Sequence, residues 1–213
     1  MNIIIMQKIL FFDFDGTIVD TKSIYYNEIL RTMKIFGYKY KDVDKAIDLG
    51  LSLRRTLKMF GLSYIASFIF KRRIMKNIEE HIDEVKKCKD VDSIKNLNKD
   101  YKKILVSNSL KEFIKPILKR LKLKKYFNEV YGADNFTDKA DFIKEYIKRK
   151  NINKNICYYI GDRAADVLVA RKAGCKSIII SGKCAWDPRK EIVKQEPDFI
   201  IEDIKDLNRI LIK

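Results

Sequence analysis

The sequence predicts an α/β fold: a doubly wound parallel sheet with a small all-helical insert after the first strand. Three observations predict it. Short unbroken apolar runs recur at "KILFF" (8–12), "KILVS" (103–107), "CYYIG" (157–161) and "SIIIS" (177–181). Helix-period stretches separate the later runs, while residues 19–87 carry helical patterns and no convincing strand. Strands covered by helices on both faces require such continuous apolar runs.

In order, the first run ends at Asp13, Phe14, Asp15, Gly16 and Thr17. "SIYYNEILRTMKIFG" (23–37) and roughly 64–85 then read as helices, punctuated by Gly37, Gly50 and Gly61. Asp20 is expected to cap the helix starting near Thr21, because its carboxylate can accept from free N–H groups. After the second run come "LKEFIKPILKRLKL" (110–123), "DKADFIKEYIKRK" (138–150) and "AADVLVARKAG" (164–174). Each spaces its apolar residues by three and four, and Gly174 is a natural stop for the last. A fifth strand is expected at Asp198–Ile201, and "IKDLNRILI" closes the chain as a helix. In such sheets ligands bind at the carboxyl ends of the strands.

Composition narrows the function classes. With 213 residues the chain can bury one core plus an insert, and no apolar run approaches the ~20 residues that span a membrane. The start, "MNIIIMQKIL", lacks the charge and cleavage pattern of a signal peptide, so a cytoplasmic location is expected. Cys88, Cys157, Cys175 and Cys184 lie far apart without C-x-x-C spacing, which disfavours a disulfide scaffold or a zinc site. His81 is the only histidine, so acid–base chemistry must come from carboxylates or lysines. The net charge of +16 invites polyanion binding. The lysines are nevertheless spread along the chain and mixed with Asp and Glu. "FKRRIMK" (70–76) and "LKRLKLKK" (118–125) are the most basic spots. A solvated basic surface that favours small anionic substrates is the expectation, and nucleic acid is not expected as a partner.

Residues i and i+2 of an extended segment face the same side, so Asp13 and Asp15 can point into one site. Gly16 then permits a sharp turn. Alone, this pattern reads equally well as a strand end with an Asp-Gly turn. Three more stretches add chemistry at strand exits or helix starts: Ser107 with Asn108 in "ILVSNS", Lys139 in "TDKADFIKEYI", and Asp162 with Asp166 in "IGDRAAD". Ser107 read singly is also a helix cap, and Lys139 a solvated cation. Jointly they supply a hydroxyl, an ammonium and two further carboxylates at one sheet edge.

With "DFDGT" (13–17), "LVSNS" (105–109), Lys139 and "GDRAAD" (161–166), the chain resembles the haloacid dehalogenase-like superfamily of phosphohydrolases, in its helical-cap branch. The resemblance extends to "ARKAGCKSIII" (170–180) and "PDFIIEDIKDL" (197–207). It implies a catalytic core over 1–18 and 88–213 and a helical cap over 19–87. It also implies roles: Asp13 as the nucleophile that forms an aspartyl-phosphate, and Asp15 as general acid and base. Mg²⁺ would be held by Asp13, Asp162 and the Asp15 backbone carbonyl, with Asp166 supporting these ligands from behind. Ser107, the backbone near Asn108, and Lys139 would bind the transferring phosphoryl oxygens. Asp15 favours phosphate over carbon–halogen chemistry. Arg163 and Ala140 depart from the commoner Thr and Pro at their positions without removing a reacting group.

In "DLGLSLRRTLKMFG" (48–61), which resembles the family's cap loop, Arg54 and Arg55 are placed to bind a second anionic group. Both also read as surface arginines. The expected substrate is a small phosphorylated molecule, with phosphoglycolate leading by the shared cap type. A sugar-phosphate mutase, pyrophosphatase or nucleotidase would use the same core residues, and a monomer or homodimer is expected. Two alternatives from other classes stay open. One is a phosphate- or nucleic-acid-binding protein on this fold. The other is a receiver-type phospho-switch, against which the helical insert speaks.

Overall fold

A computed structural model describes residues 7–35, 37, 39, 61, 63, 65, 69, 72, 73, 76 and 79–211. The chain divides into two compact units, Met1–Asp20 with Lys86–Lys213, and Thr21–Val85. The first named elements in chain order are β1 (Ile9–Phe12), β2 (Val19–Asp20), α1 (Lys22–Ile35), β3 (Lys86–Lys87) and β4 (Lys102–Val106). There follow α2 (Lys111–Arg120), β5 (Glu129–Tyr131), α3 (Lys139–Arg149), β6 (Cys157–Gly161) and α4 (Ala164–Ala173). The last are β7 (Lys176–Ile180), α5 (Arg189–Val193), β8 (Phe199–Ile201) and α6 (Leu207–Leu211).

The sheet has the order β5-β4-β1-β6-β7-β8, and every neighbouring pair is parallel. The chain runs outward from β1 through β4 to β5, then returns to the other side of β1 at β6. Such a reversal opens a crevice at the carboxyl ends of the central strands. The expected doubly wound α/β class is therefore the observed one.

β1 explains why the apolar runs are unbroken. Ile9 and Phe11 join a core cluster with Ile104, Val106, Ile143, Tyr159 and Ala170, and Phe11 meets Tyr146 of α3 edge to face at 5.8 Å. One residue along, Phe12 meets Phe127 at 5.7 Å. Alternate side chains thus enter different packing, and all four are buried. Each such burial contributes about 1.5–3 kcal/mol. Gly174 ends α4 as expected, at φ 80°, with Cys175 N donating to Ala170 O at 2.9 Å.

Four elements escape the sequence reading. β5 is half-buried and three residues long, too short for an apolar run. α5 spans five residues. β2 and β3 pair antiparallel, Val19 with Lys87 and Asp20 with Lys86, which corrects the expectation that 19–87 contains no strand. A two-residue ribbon has no periodicity to detect. Asp20, expected to cap α1, belongs to this ribbon instead, and Thr21 is the residue before the helix. In the unit Thr21–Val85, α1 matches the predicted helix as far as Ile35, and helical backbone recurs at Ile65, Ile69, Arg72, Arg73, Lys76, Glu79 and Glu80. His81 lies 2.9 Å from Glu84 and 3.4 Å from Glu28, and its hydrogen bond to Glu84 raises its pKa. Among the described residues no helix is long and apolar enough to cross a membrane.

A second correction concerns the cysteines. Cys88 and Cys184 form a disulfide across a sequence separation of 96, while Cys157 and Cys175 are free and buried. The wide spacing disfavours a local motif but says nothing about two segments that the sheet brings together. Denatured, unreduced protein should therefore titrate as two thiols, and four would remove the bridge. Cys184→Ser should lower stability by about 2–4 kcal/mol, the usual contribution of a native bridge, measured as unfolding without reductant.

Candidate active site

The site is assembled from strand exits. Asp13 directly follows β1, Ser107 follows β4, and Asp162 follows β6. Parallel neighbours in register end together, so their next residues meet at one edge. Asp13 N still donates to Ile160 O at 2.8 Å, and Ser107 N to Tyr131 O at 3.1 Å, which holds both positions to the sheet. After Asp13 the chain turns back, with Ile18 N and Val19 N both donating to Phe14 O. Gly16 occupies this turn at φ 77°, and a Cβ there would lie 2.3 Å from Asp162 Oδ2 and 2.4 Å from Trp186 Cδ1.

Lys139 opens α3, whose start is fixed by Asp138 accepting from Asp141 N at 2.9 Å. Its Nζ donates to Asp13 Oδ1 and to Tyr159 Oη, both at 2.9 Å. Asp15 faces hydroxyls instead. Ser109 Oγ donates to Asp15 Oδ2 at 2.6 Å and Ser107 Oγ stands 3.5 Å from the same oxygen. Asp162 accepts from Thr17 Oγ1 at 3.0 Å and from Trp186 N at 2.7 Å. Asp166 accepts at one oxygen from the N–H groups of Asp162 and Arg163, each at 3.0 Å, and at the other from Tyr159 Oη at 3.1 Å.

The structure thus brings together Asp13, Asp15, Ser107, Lys139, Asp162 and Asp166. Asn108 is exposed beside them and lines a groove of about 320 Å³ with Thr137, Lys139, Leu168 and Lys172. Arg54 and Arg55 lie outside the described residues. Arg163, the departure noted above, has its own partners: Asp187 at 3.3 Å and the Trp186 ring at 5.4 Å. Sequence reasoning gave no role to Thr17, Ser109, Tyr159 or Trp186. Ser109 carried a signal, lying two residues beyond Ser107 in the quoted motif. Tyr159 sits three before Asp162 in an apolar run, where an aromatic reads as core. Trp186 had no local signal.

Electrostatics test whether a cation fits. Asp13, Asp162 and Asp166 are buried and each offers an oxygen within 4.8 Å of the others. Burial pushes the Asp13 carboxyl up to about 6, against the pull of the Lys139 ammonium and with the help of Asp166. Burial also raises Asp162 well above the usual range, reinforced by Asp166 and Asp13. Burial opposes the charge on Lys139, but Asp13 and Asp166 outweigh it and hold its pKa above the ordinary value. One ammonium among clustered carboxylates leaves excess negative charge. Hard anionic oxygens at this spacing suit Mg²⁺. The residues present fit the ion, since Asp13, Asp162 and Asp166 each offer a buried carboxylate oxygen to one small volume.

A doubly wound core with carboxylates and hydroxyls at its strand exits and a buried lysine at a helix start is a site equipped to handle a phosphoryl group. The chain belongs to the haloacid dehalogenase-like hydrolase family, whose model matches residues 10–180. It is 27% identical to the phosphoglycolate phosphatase of Aquifex aeolicus, covering 96% of this chain and 97% of that protein. It is 25% identical to pyrophosphatase PpaX of Anoxybacillus flavithermus, covering 95% of each. In fold it is similar to a haloacid dehalogenase-like family hydrolase from Streptococcus pneumoniae. The TM-score is 0.78 at 21% identity, over 96% of this chain and 97% of that one.

Proposed function

We propose that the protein is a Mg²⁺-dependent phosphomonoester hydrolase for a small organic phosphate, working through an aspartyl-phosphate on Asp13. The observation that carries this reading is the separation of two neighbouring carboxylates into different environments. Asp13 is buried against the Lys139 ammonium, and half-buried Asp15 is held by serine hydroxyls. Environments that differ in this way divide attack from proton transfer. An Asp13 oxygen attacks phosphorus while Asp15 gives its proton to the departing alkoxide oxygen. Asp15 then takes a proton from water, whose oxygen attacks the phosphorus of the acyl phosphate, releasing inorganic phosphate and restoring Asp13. Ser107, the backbone near Asn108, and Lys139 bind the transferring oxygens, where charge stabilisation dominates the rate. Asp13, Asp162 and the Asp15 carbonyl would hold Mg²⁺, which supplies charge neutralisation at those oxygens, and Asp166 keeps these ligands oriented.

The helical segment 19–87 is assigned the task of closing over the substrate and choosing its leaving group, with Arg54 and Arg55 meeting a second anionic group. Phosphoglycolate is the leading substrate. Pyrophosphate is the second reading, favoured by the full-length likeness to PpaX. We place the protein in the cytoplasm as a monomer or homodimer. A bridge such as Cys88–Cys184 is uncommon in that compartment, so alkylation in intact cells before purification decides the location reading. Purified protein with Mg²⁺ should release phosphate from an aryl phosphate, lose this activity in EDTA and regain it with added Mg²⁺. A panel of phosphoglycolate, sugar phosphates, nucleotides and pyrophosphate then ranks substrates. Salt-sensitive binding to duplex DNA with no turnover on that panel would replace the hydrolase reading.

A further inference from the structure

Between Lys139 and Asp166 stands a phenol that the reaction above does not use. Tyr159 lies in β6 with 0% exposure. Its oxygen accepts from Lys139 Nζ at 2.9 Å and its hydroxyl donates to Asp166 Oδ1 at 3.1 Å. Lys139 in turn donates to Asp13, and Asp166 accepts from the N–H groups of Asp162 and Arg163. One connected series of hydrogen bonds therefore links Asp13, through the ammonium, the phenol and the Asp166 carboxylate, to the backbone that carries Asp162.

We propose that Tyr159 is a positioning residue that fixes the direction of the Lys139 ammonium for the transferring phosphoryl group. The proposal rests on the phosphoryl-transfer reading for what Lys139 serves. An ammonium has three donors and a flexible four-carbon stem. Asp13 and Tyr159 take two of those directions, and the third is then set by tetrahedral geometry. A phenol suits the place because it accepts from a cation and donates to a carboxylate at once, adding no charge. Without the hydroxyl, Lys139 is drawn toward the Asp166 carboxylate, and both change position together.

Tyr159→Phe keeps the ring and removes only this link. With Mg²⁺ present, kcat for an aryl phosphate should fall roughly 10–100-fold, below or near the loss of one oxyanion donor. KM should move less than about threefold, since the loss falls on the transition state. Calorimetric affinity for inorganic phosphate should weaken by about two- to threefold while Tm stays within a few degrees of the parent. In a Lys139→Met background, the same change should add less than about twofold, because contacting residues that act as one unit are non-additive. If Lys139→Met does not fold, Lys139→Arg replaces it in the cycle. Multiplicative losses, unchanged kcat and phosphate affinity, or a Tyr159→Phe chain that unfolds would each overturn the proposal. Failure of the hydrolase reading looks different: the parent protein would bind phosphate yet release none, and the calorimetric comparison would still decide on Tyr159.

Discussion

Asp13→Asn should lower phosphate release from every accepted substrate by a factor on the order of 10⁴ or more, the scale seen when a nucleophile is removed from a covalent mechanism. The amide is nearly isosteric and can still accept from Lys139 Nζ, which stands 2.9 Å from the carboxylate. The change therefore tests attack rather than packing. The readout is steady-state phosphate release, backed by loss of the covalent phosphate that acid quenching should trap on the parent chain. Undiminished turnover would remove Asp13 as the nucleophile.

Gly16→Ala should also damage activity, though by less and for a different reason. Its φ of 77° disfavours any side chain, and the new methyl would sit 2.3 Å from Asp162 Oδ2 and 2.4 Å from Trp186 Cδ1. Backbone strain alone costs about 1–2 kcal/mol. The clash displaces Asp162, so kcat/KM should fall by roughly 10²-fold, as expected when a catalytic group is misplaced by about 1 Å. A total loss near 2 kcal/mol lowers Tm by roughly 4–8 °C for a chain of this size. Gly37→Ala is the control, because Gly37 has φ 80° with nothing within 4 Å of the added carbon. It should reproduce the strain and spare the chemistry. Equal losses of activity in both variants would remove the steric argument.

The parts of this site that were legible in sequence are those whose cause is local. An apolar run ending in Asp13, Ser107 or Asp162 announces a strand exit, and parallel register brings such exits to one edge. Lys139 was legible because α3 starts with it. What the sequence did not disclose depends on distant chain returning to the site. Trp186 donates to Asp162 only because β7 lies beside β6, and no pattern near residue 186 says so. The Cys88–Cys184 pair is hidden by the same distance. Tyr159 was hidden differently: its ring is core and only its hydroxyl belongs to the site, a division that residue type does not reveal. β2 and β3 were missed because two residues carry no period.

The place of β1 in the sheet has a consequence for biosynthesis. Ile9 pairs with Lys102 on one side and Cys157 on the other, so β1 is made before both of its neighbours and gains the second only after β4 and β5 have been made. At roughly 5–20 residues per second, the second neighbour follows about 7–30 seconds later. Until β4 is made Ile-Leu-Phe-Phe has no strand to pair with, and until β6 is made one of its edges stays open. Asp13, the proposed nucleophile, thus follows the strand that waits longest for its second partner, and a nascent chain released before β6 lacks Asp162 and Asp166.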